Sequence, residues 1–183
     1  MENVKILQIQ KILKIFFIII FGSLLITLSA KIKIPFYPVP MTMQTFMIIL
    51  IGASFGYKIG LATVSVYLFE GIIGLPVFSN SPEKGTGLVY FTGPTMGYLL
   101  GFLGAVFFAG YFKYNKNPFL NFIKIVFSIF TIYLLGIVWL GYLIGWDKPI
   151  FKLGAEPFLL AELLKVIILT ILVPHLSKLR KII

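Results

Sequence analysis

PFLLAELLKVIILTILVPHL, residues 157–176, decides how this chain is read. It is a long apolar run, close to the roughly 20 residues a helix needs to cross the hydrocarbon core of a bilayer. Yet it carries Glu162 and Lys165. One charge at the centre of a spanning helix costs roughly 2.5–3.5 kcal/mol on insertion scales. At i and i+3 the two charges share one helix face. Two readings are open. In one, the pair neutralises itself near an interface, with the Lys165 ammonium extended toward water. In the other, it is a polar patch on an inward face lining a cavity. Glu162 then accepts hydrogen bonds from ligand N–H groups, and Lys165 supports that carboxylate or attracts a ligand anion.

The rest of the chain is of the same kind. Of its 183 residues 59% are hydrophobic, against about 45–50% in a soluble domain. The expectation is an all-α integral membrane protein, one membrane domain over residues 1–183, with six transmembrane helices near 12–30, 42–55, 57–74, 94–112, 118–146 and 157–176. The second and third are separated only by the Gly-rich turn GASFGYKIG, residues 52–60. The first apolar run exceeds a signal-peptide core of about 7–15 residues, and Leu28 fills a position where cleavage wants a small side chain, so it is read as a span.

Composition also excludes. There is no cysteine, hence no disulfide or thiolate metal site, and the one histidine, His175, disfavours a metal cluster or a histidine triad. No P-loop is present, so the chain does not energise transport with ATP by itself. The formal net charge of +10 would suggest nucleic acid in a soluble protein. Here the basic residues flank apolar runs, which makes them topology signals and argues against a nucleic-acid partner.

With six spans, one side of the membrane holds Lys5, Lys11, Lys14, Lys58, Lys113, Lys116, Lys124, Lys178, Arg180 and Lys181. The other holds Lys31, Lys33, Lys84, Lys148 and Lys152. The excess of Lys and Arg puts both termini in the cytoplasm. Three long irregular stretches, residues 31–44, 74–94 and 145–157, then fall outside. They are expected to be ordered loops on the face where a ligand enters.

Other residues join Glu162 and Lys165 as ligand-binding candidates. Glu70 lies near the outer end of the third span, at a rim or in a cavity wall. Gln44 is a cap or a ligand contact, and Asn80 sits in the long 74–94 loop. Gly97 and Gly101 form a small-residue face suited to close helix packing, with Tyr98 beside it. Gly22, Ser23, Thr27 and Ala30 make a similar face on the first helix, for internal packing or for another membrane subunit.

These motifs carry a family resemblance. IPFYPVPMTMQTF (34–46), EGIIGLPVF (70–78), PEKGTGLVYFTGPTMGYLLGF (82–102) and PFLLAELLK (157–165) run in order along nearly the whole chain. Together they resemble the BioY family, biotin-binding membrane subunits of energy-coupling-factor (ECF) transporters. The resemblance implies a six-helix subunit with cytoplasmic termini that captures biotin near the outer face. It also implies a transmembrane coupling subunit and paired ABC-type ATPases as partners. Where the family usually has an Asp three residues before a Lys, this chain has Glu162 before Lys165. A carboxylate or amide suits the N–H groups of biotin's ureido ring, and Phe36, Tyr37, Tyr90 and Tyr98 suit its fused ring system.

The expected partners are therefore biotin as transported substrate, membrane lipids and the coupling module, with a homo-oligomer left open; no cofactor and no enzymatic activity are expected. Three alternatives stand beside this reading. One is a subunit for another vitamin such as thiamine or riboflavin. Another is a solitary proton-coupled carrier. The last is an intramembrane enzyme using Glu70, Glu162 and Lys165, disfavoured by the scarcity of histidine.

Overall fold

A computed structural model describes the backbone of residues 2–181 and the side chains of residues 8–181. The side chain of Lys5, part of the charge asymmetry, lies outside them. The chain is mostly helical. Helix α1 spans Glu2–Lys31, α2 Gln44–Ile72, α3 Met96–Tyr111, α4 Pro118–Ile144, α5 Ile150–Gly154 and α6 Leu159–Leu176. Among the described residues, four helical segments are by length and composition able to cross a membrane, Gln8–Lys31, Gln44–Ile72, Pro118–Ile144 and Ile150–Lys181, while Met96–Tyr111 is a shorter apolar helix.

Helix α2 is not straight. Gly56 has φ 82° and ψ 168°, a conformation open essentially to glycine alone. The chain reverses there. The Gln44 Nε2 donates to the Tyr67 hydroxyl at 2.7 Å, although 23 residues of straight helix would hold them about 35 Å apart. Likewise, a Cβ on Gly60 would lie 3.3 Å from the Gly52 Cα. Residues 44–55 and 57–72 are thus the two arms of a helical hairpin, reversing inside the Gly-rich stretch.

Glycine also sets the α3–α4 contact. Added Cβ atoms on Gly97, Gly101 and Gly104 would meet Leu135 and Trp139, the Ile132 backbone, and Thr131. The small face of α3 therefore lets two backbones approach closely. Helix α4 starts at the Asn117 cap, whose side chain accepts from the Leu120 N–H, with Pro118 in the first turn. At this end of the bundle the Arg180 guanidinium donates to the carbonyls of Gly52, Ala53, Ala109 and Phe112. Those are the last turns of the first α2 arm and of α3, where a cation complements the helix dipoles.

The other end is closed by irregular chain. A two-stranded antiparallel ribbon pairs β1, Lys33–Ile34, with β2, Met41–Thr42. The long connection 73–95 folds back over it. Lys31 donates to the carbonyls of Phe78 and Ser81 at 2.8 and 2.9 Å. Lys33 donates to the Ser79 carbonyl at 2.6 Å and to Asn80 Oδ1 at 3.2 Å. Phe78 anchors the connection from within, stacked on Tyr90 and edge-on to Tyr67 and Phe91. The Trp139 indole holds its far end through the Gly93 carbonyl. Two lysines that read as sparse outer charges are therefore the clasps that order a loop.

Candidate functional site

The loop-covered end holds a narrow, partly open cavity of about 50 Å³ between the starts of α2, α3 and α6 and the middle of α4. Thr42, Gln44 and Thr45 contribute from the ribbon and the first α2 arm, Ser79, Tyr90 and Thr95 from the long connection, Tyr98 from α3, Tyr133 from α4 and Glu162 from α6. Val39, Met41, Phe102, Ile132 and Phe158 complete an otherwise apolar wall.

Glu162 and Lys165 are each only 6% exposed. They form a direct ion pair at 2.8 Å through Glu162 Oε1. The same oxygen accepts from Thr45 Oγ1 at 2.8 Å. Lys165 Nζ also donates to the Thr42 carbonyl at 2.6 Å and to Thr45 Oγ1 at 3.0 Å. An ammonium has three protons, and these three acceptors take them all. Lys165 does not line the cavity. Its place is behind the carboxylate, as counter-ion and brace, and its donors are not open to a ligand anion.

The other carboxylate oxygen behaves differently. Glu162 Oε2 is buried with no hydrogen-bond partner of good geometry, although the Tyr133 hydroxyl comes within interaction range of the same carboxylate. Leaving a buried acceptor unsatisfied costs about 1–3 kcal/mol, more when it is charged. One oxygen is fixed by protein donors while its twin, on a side chain that lines the cavity, has none. Such an arrangement accepts from an N–H or O–H donor brought in by a ligand.

Four of the sequence candidates, Glu162, Gln44, Tyr90 and Tyr98, line this cavity. The Gln44 amide is tied to Tyr67 and to Thr42 Oγ1. The Tyr98 hydroxyl donates to the Gly154 carbonyl at 2.8 Å. Glu70 lies elsewhere, between α1 and the second α2 arm, accepting from Ser23 Oγ at 2.8 Å. Asn80 faces a separate small recess with Lys84 and Thr95 and is held by Lys33. Of the aromatic side chains suited to a ring system, Tyr37 is 85% exposed, and Phe36 packs edge-on against Phe158 at 5.8 Å.

The small-residue face of α1 turns inward. Gly22, Ser23 and Ala30 are buried within the chain, and a Cβ on Gly22 would meet Thr63 of α2 at 2.7 Å. Thr27 stays half-exposed. Residues that sequence reasoning did not single out are Thr45, which links both charges, Ser79, whose Oγ shares a 3.3 Å hydrogen bond with the Tyr90 hydroxyl, and Tyr133. Thr45 directly follows Gln44 and was legible by proximity; Tyr133 is a phenol in mid-span, a weaker signal.

Comparison with known proteins bears on the family and the fold. The BioY family model matches residues 2–182. The biotin transporter BioY of Thermotoga maritima is 35% identical over 85% of this chain and 90% of its own. The probable biotin transporter BioY of Pyrococcus horikoshii is 33% identical over 77% of this chain and 82% of its own. Among solved structures, the S-component for biotin from an ECF-type ABC transporter superposes with a TM-score of 0.77 at 25% identity, covering 92% of this chain and 93% of the other.

Proposed function

The chain belongs to the BioY family, and on that premise we propose that the loop-covered cavity is its biotin site, with Glu162 as the polar end. The protein is the substrate-binding subunit of an ECF-type transporter and takes up biotin; it is not an enzyme, and biotin is its cargo and not a cofactor.

The observation that carries the site is a cavity-lining carboxylate, Glu162, whose Oε2 has no hydrogen-bond partner. The ureido ring of biotin presents two N–H donors and one carbonyl. A carboxylate oxygen already oriented by its twin's bonds to Thr45 and Lys165 is matched to those donors, in a charge-assisted bond stronger than a neutral one. The aromatic walls at Tyr90, Tyr98 and Phe158 suit the apolar face of the bicycle. At about 50 Å³ the cavity has room for a few waters, so capture of biotin displaces its walls outward. The ribbon and the connection 73–95, which bear no spanning helix, are the parts that move.

The arrangement of the chain in the membrane follows the same proposal. The domain crosses the cytoplasmic membrane six times, the α2 hairpin contributing two crossings, with both termini inside and the cavity outside. The reversal at Gly56 and the excess of lysines at the opposite end support it. Energy comes from a transmembrane coupling subunit with ABC-type ATPases. With Gly22, Ser23 and Ala30 packed inside the chain, such a subunit meets α1 through Thr27 and outward residues such as Leu24 and Leu28.

Competition binding tests the assignment. Radiolabelled biotin bound to the detergent-purified chain should be displaced by cold biotin and not by thiamine or riboflavin. Displacement by either of the others at comparable concentration would move the protein to a different vitamin.

A further inference from the structure

A cavity much wider than the one at Glu162, about 860 Å³, lies at the opposite end of the bundle. It forms where the start of α4 meets the end of α6. Its floor is weakly polar to apolar: Pro118 and Asn121 from α4, Thr170, Ile171 and Pro174 from α6. Around its rim stand Lys113, Lys116, Lys178 and Lys181, and no carboxylate of the described residues lines it. Arg180 is also present, but its guanidinium is taken by four backbone carbonyls and shapes the wall. The four lysines are exposed. Among the described residues none of them pairs with an acid, the ion pair there being Glu162–Lys165.

Four like charges facing one basin repel each other, so the arrangement favours an anion. Its surroundings say which kind. The basin straddles the ends of two apolar spans, and exposed Phe119, Ile123 and Ile171 continue from it into them. A soluble anion has no use for that apolar rail. A phospholipid uses both parts, because lysine stems lie along apolar surface while their ammonium groups reach the phosphate layer. Basic pockets between spanning helices on the cytoplasmic side suit acidic headgroups for this reason. We infer that the basin binds the headgroup of an anionic phospholipid, its phosphate among Lys113, Lys116, Lys178 and Lys181 and its acyl chains along Phe119 and Ile171.

The site is independent of the biotin assignment and is tested without it. Delipidated protein, titrated with phosphatidylglycerol or phosphatidylcholine and released from detergent for native mass spectrometry, should retain the anionic lipid at least about tenfold more tightly. The paired variants Lys113→Gln/Lys116→Gln and Lys178→Gln/Lys181→Gln should each weaken phosphatidylglycerol binding about tenfold or more. Lys84→Gln/Lys148→Gln/Lys152→Gln, at the far end, should leave it unchanged. These are exposed substitutions with little effect on folding, which thermal unfolding of each variant checks. Millimolar inorganic phosphate should not displace the lipid. Equal retention of the two lipids, equal loss in the far-end variant, or displacement by phosphate would each overturn the inference, the last by making the basin a site for free anions.

Discussion

Replacing Glu162 by Gln separates the two tasks that the structure gives this side chain. The amide keeps size and an acceptor oxygen but loses the charge. If Oε2 accepts from a ureido N–H, binding loses the charge-assisted part of that bond, the difference between about 1.5–3 kcal/mol for a charged acceptor and about 0.5–1.5 for a neutral one, about 1–1.5 kcal/mol or roughly 5- to 13-fold in affinity. A second effect falls on folding. Lys165 keeps the Thr42 carbonyl and Thr45 Oγ1 but loses its counter-ion, and leaving one member of a buried pair unpaired costs about 3–5 kcal/mol. The double variant Glu162→Gln/Lys165→Met removes the stranded charge. Its stability should recover most of that loss, whereas its affinity for biotin should stay as low as that of the single variant. Glu162→Asp keeps the charge on an arm one methylene shorter, so its loss of affinity should be the smallest of the three. The assay is calorimetric titration of biotin into purified protein, with thermal unfolding of each variant in parallel. Unchanged affinity in a folded Gln variant, or affinity that recovers together with stability in the double variant, would refute the reasoning and reduce the pair to a structural salt bridge.

Other perturbations probe the rest of the account. Tyr133→Phe removes a hydroxyl that lines the cavity near the carboxylate; a bond of about 0.5–1.5 kcal/mol predicts a two- to thirteenfold loss of biotin affinity in the same titration, and no loss would exclude that hydroxyl from the site. Gly101→Ala places a Cβ 2.5 Å from the Ile132 Cα, so α3 and α4 must separate, and thermal unfolding should show destabilisation of about 1–3 kcal/mol; an unchanged transition would mean that the helices are less tightly packed. The chain has no cysteine, so single cysteines report topology cleanly. At exposed Asn117 one should react with a membrane-impermeant maleimide only from the cytoplasm, and at exposed Glu83 only from outside; reversed labelling would invert the orientation. Ser81, in the same loop as Glu83, is buried and would label poorly.

Particular residues show how far the sequence could be read. Glu162 and Lys165 stood out because a charge in a span is expensive, and expense implies a partner. The structure supplies the asymmetry that the sequence cannot express, one oxygen braced and the other bare. The break at Gly56 was legible as a Gly-rich interruption of an apolar run. Glu70 looked like the same signal as Glu162 but is matched to Ser23, because which face of a helix turns inward depends on its neighbours. The α1 small-residue face left both uses open in the sequence, since small residues serve any close contact, within a chain or between chains. Tyr37 and Phe36 were chosen for their aromatic rings, and only the path of the ribbon decides that Phe158 reaches the cavity while Tyr37 points away. Thr45 had only its place beside Gln44 to mark it, because threonine hydroxyls are common in spans, where they bond to their own backbone, and Tyr133 is one of nine tyrosines.

The most direct test of the central claim is an experimental structure of the chain with biotin bound. The account predicts the ureido ring inside the loop-covered cavity, with one of its nitrogens within about 2.7–3.2 Å of Glu162 Oε2 and Lys165 still on Oε1. Biotin seated elsewhere, or seated there with its ureido nitrogens turned away from Glu162, would contradict it.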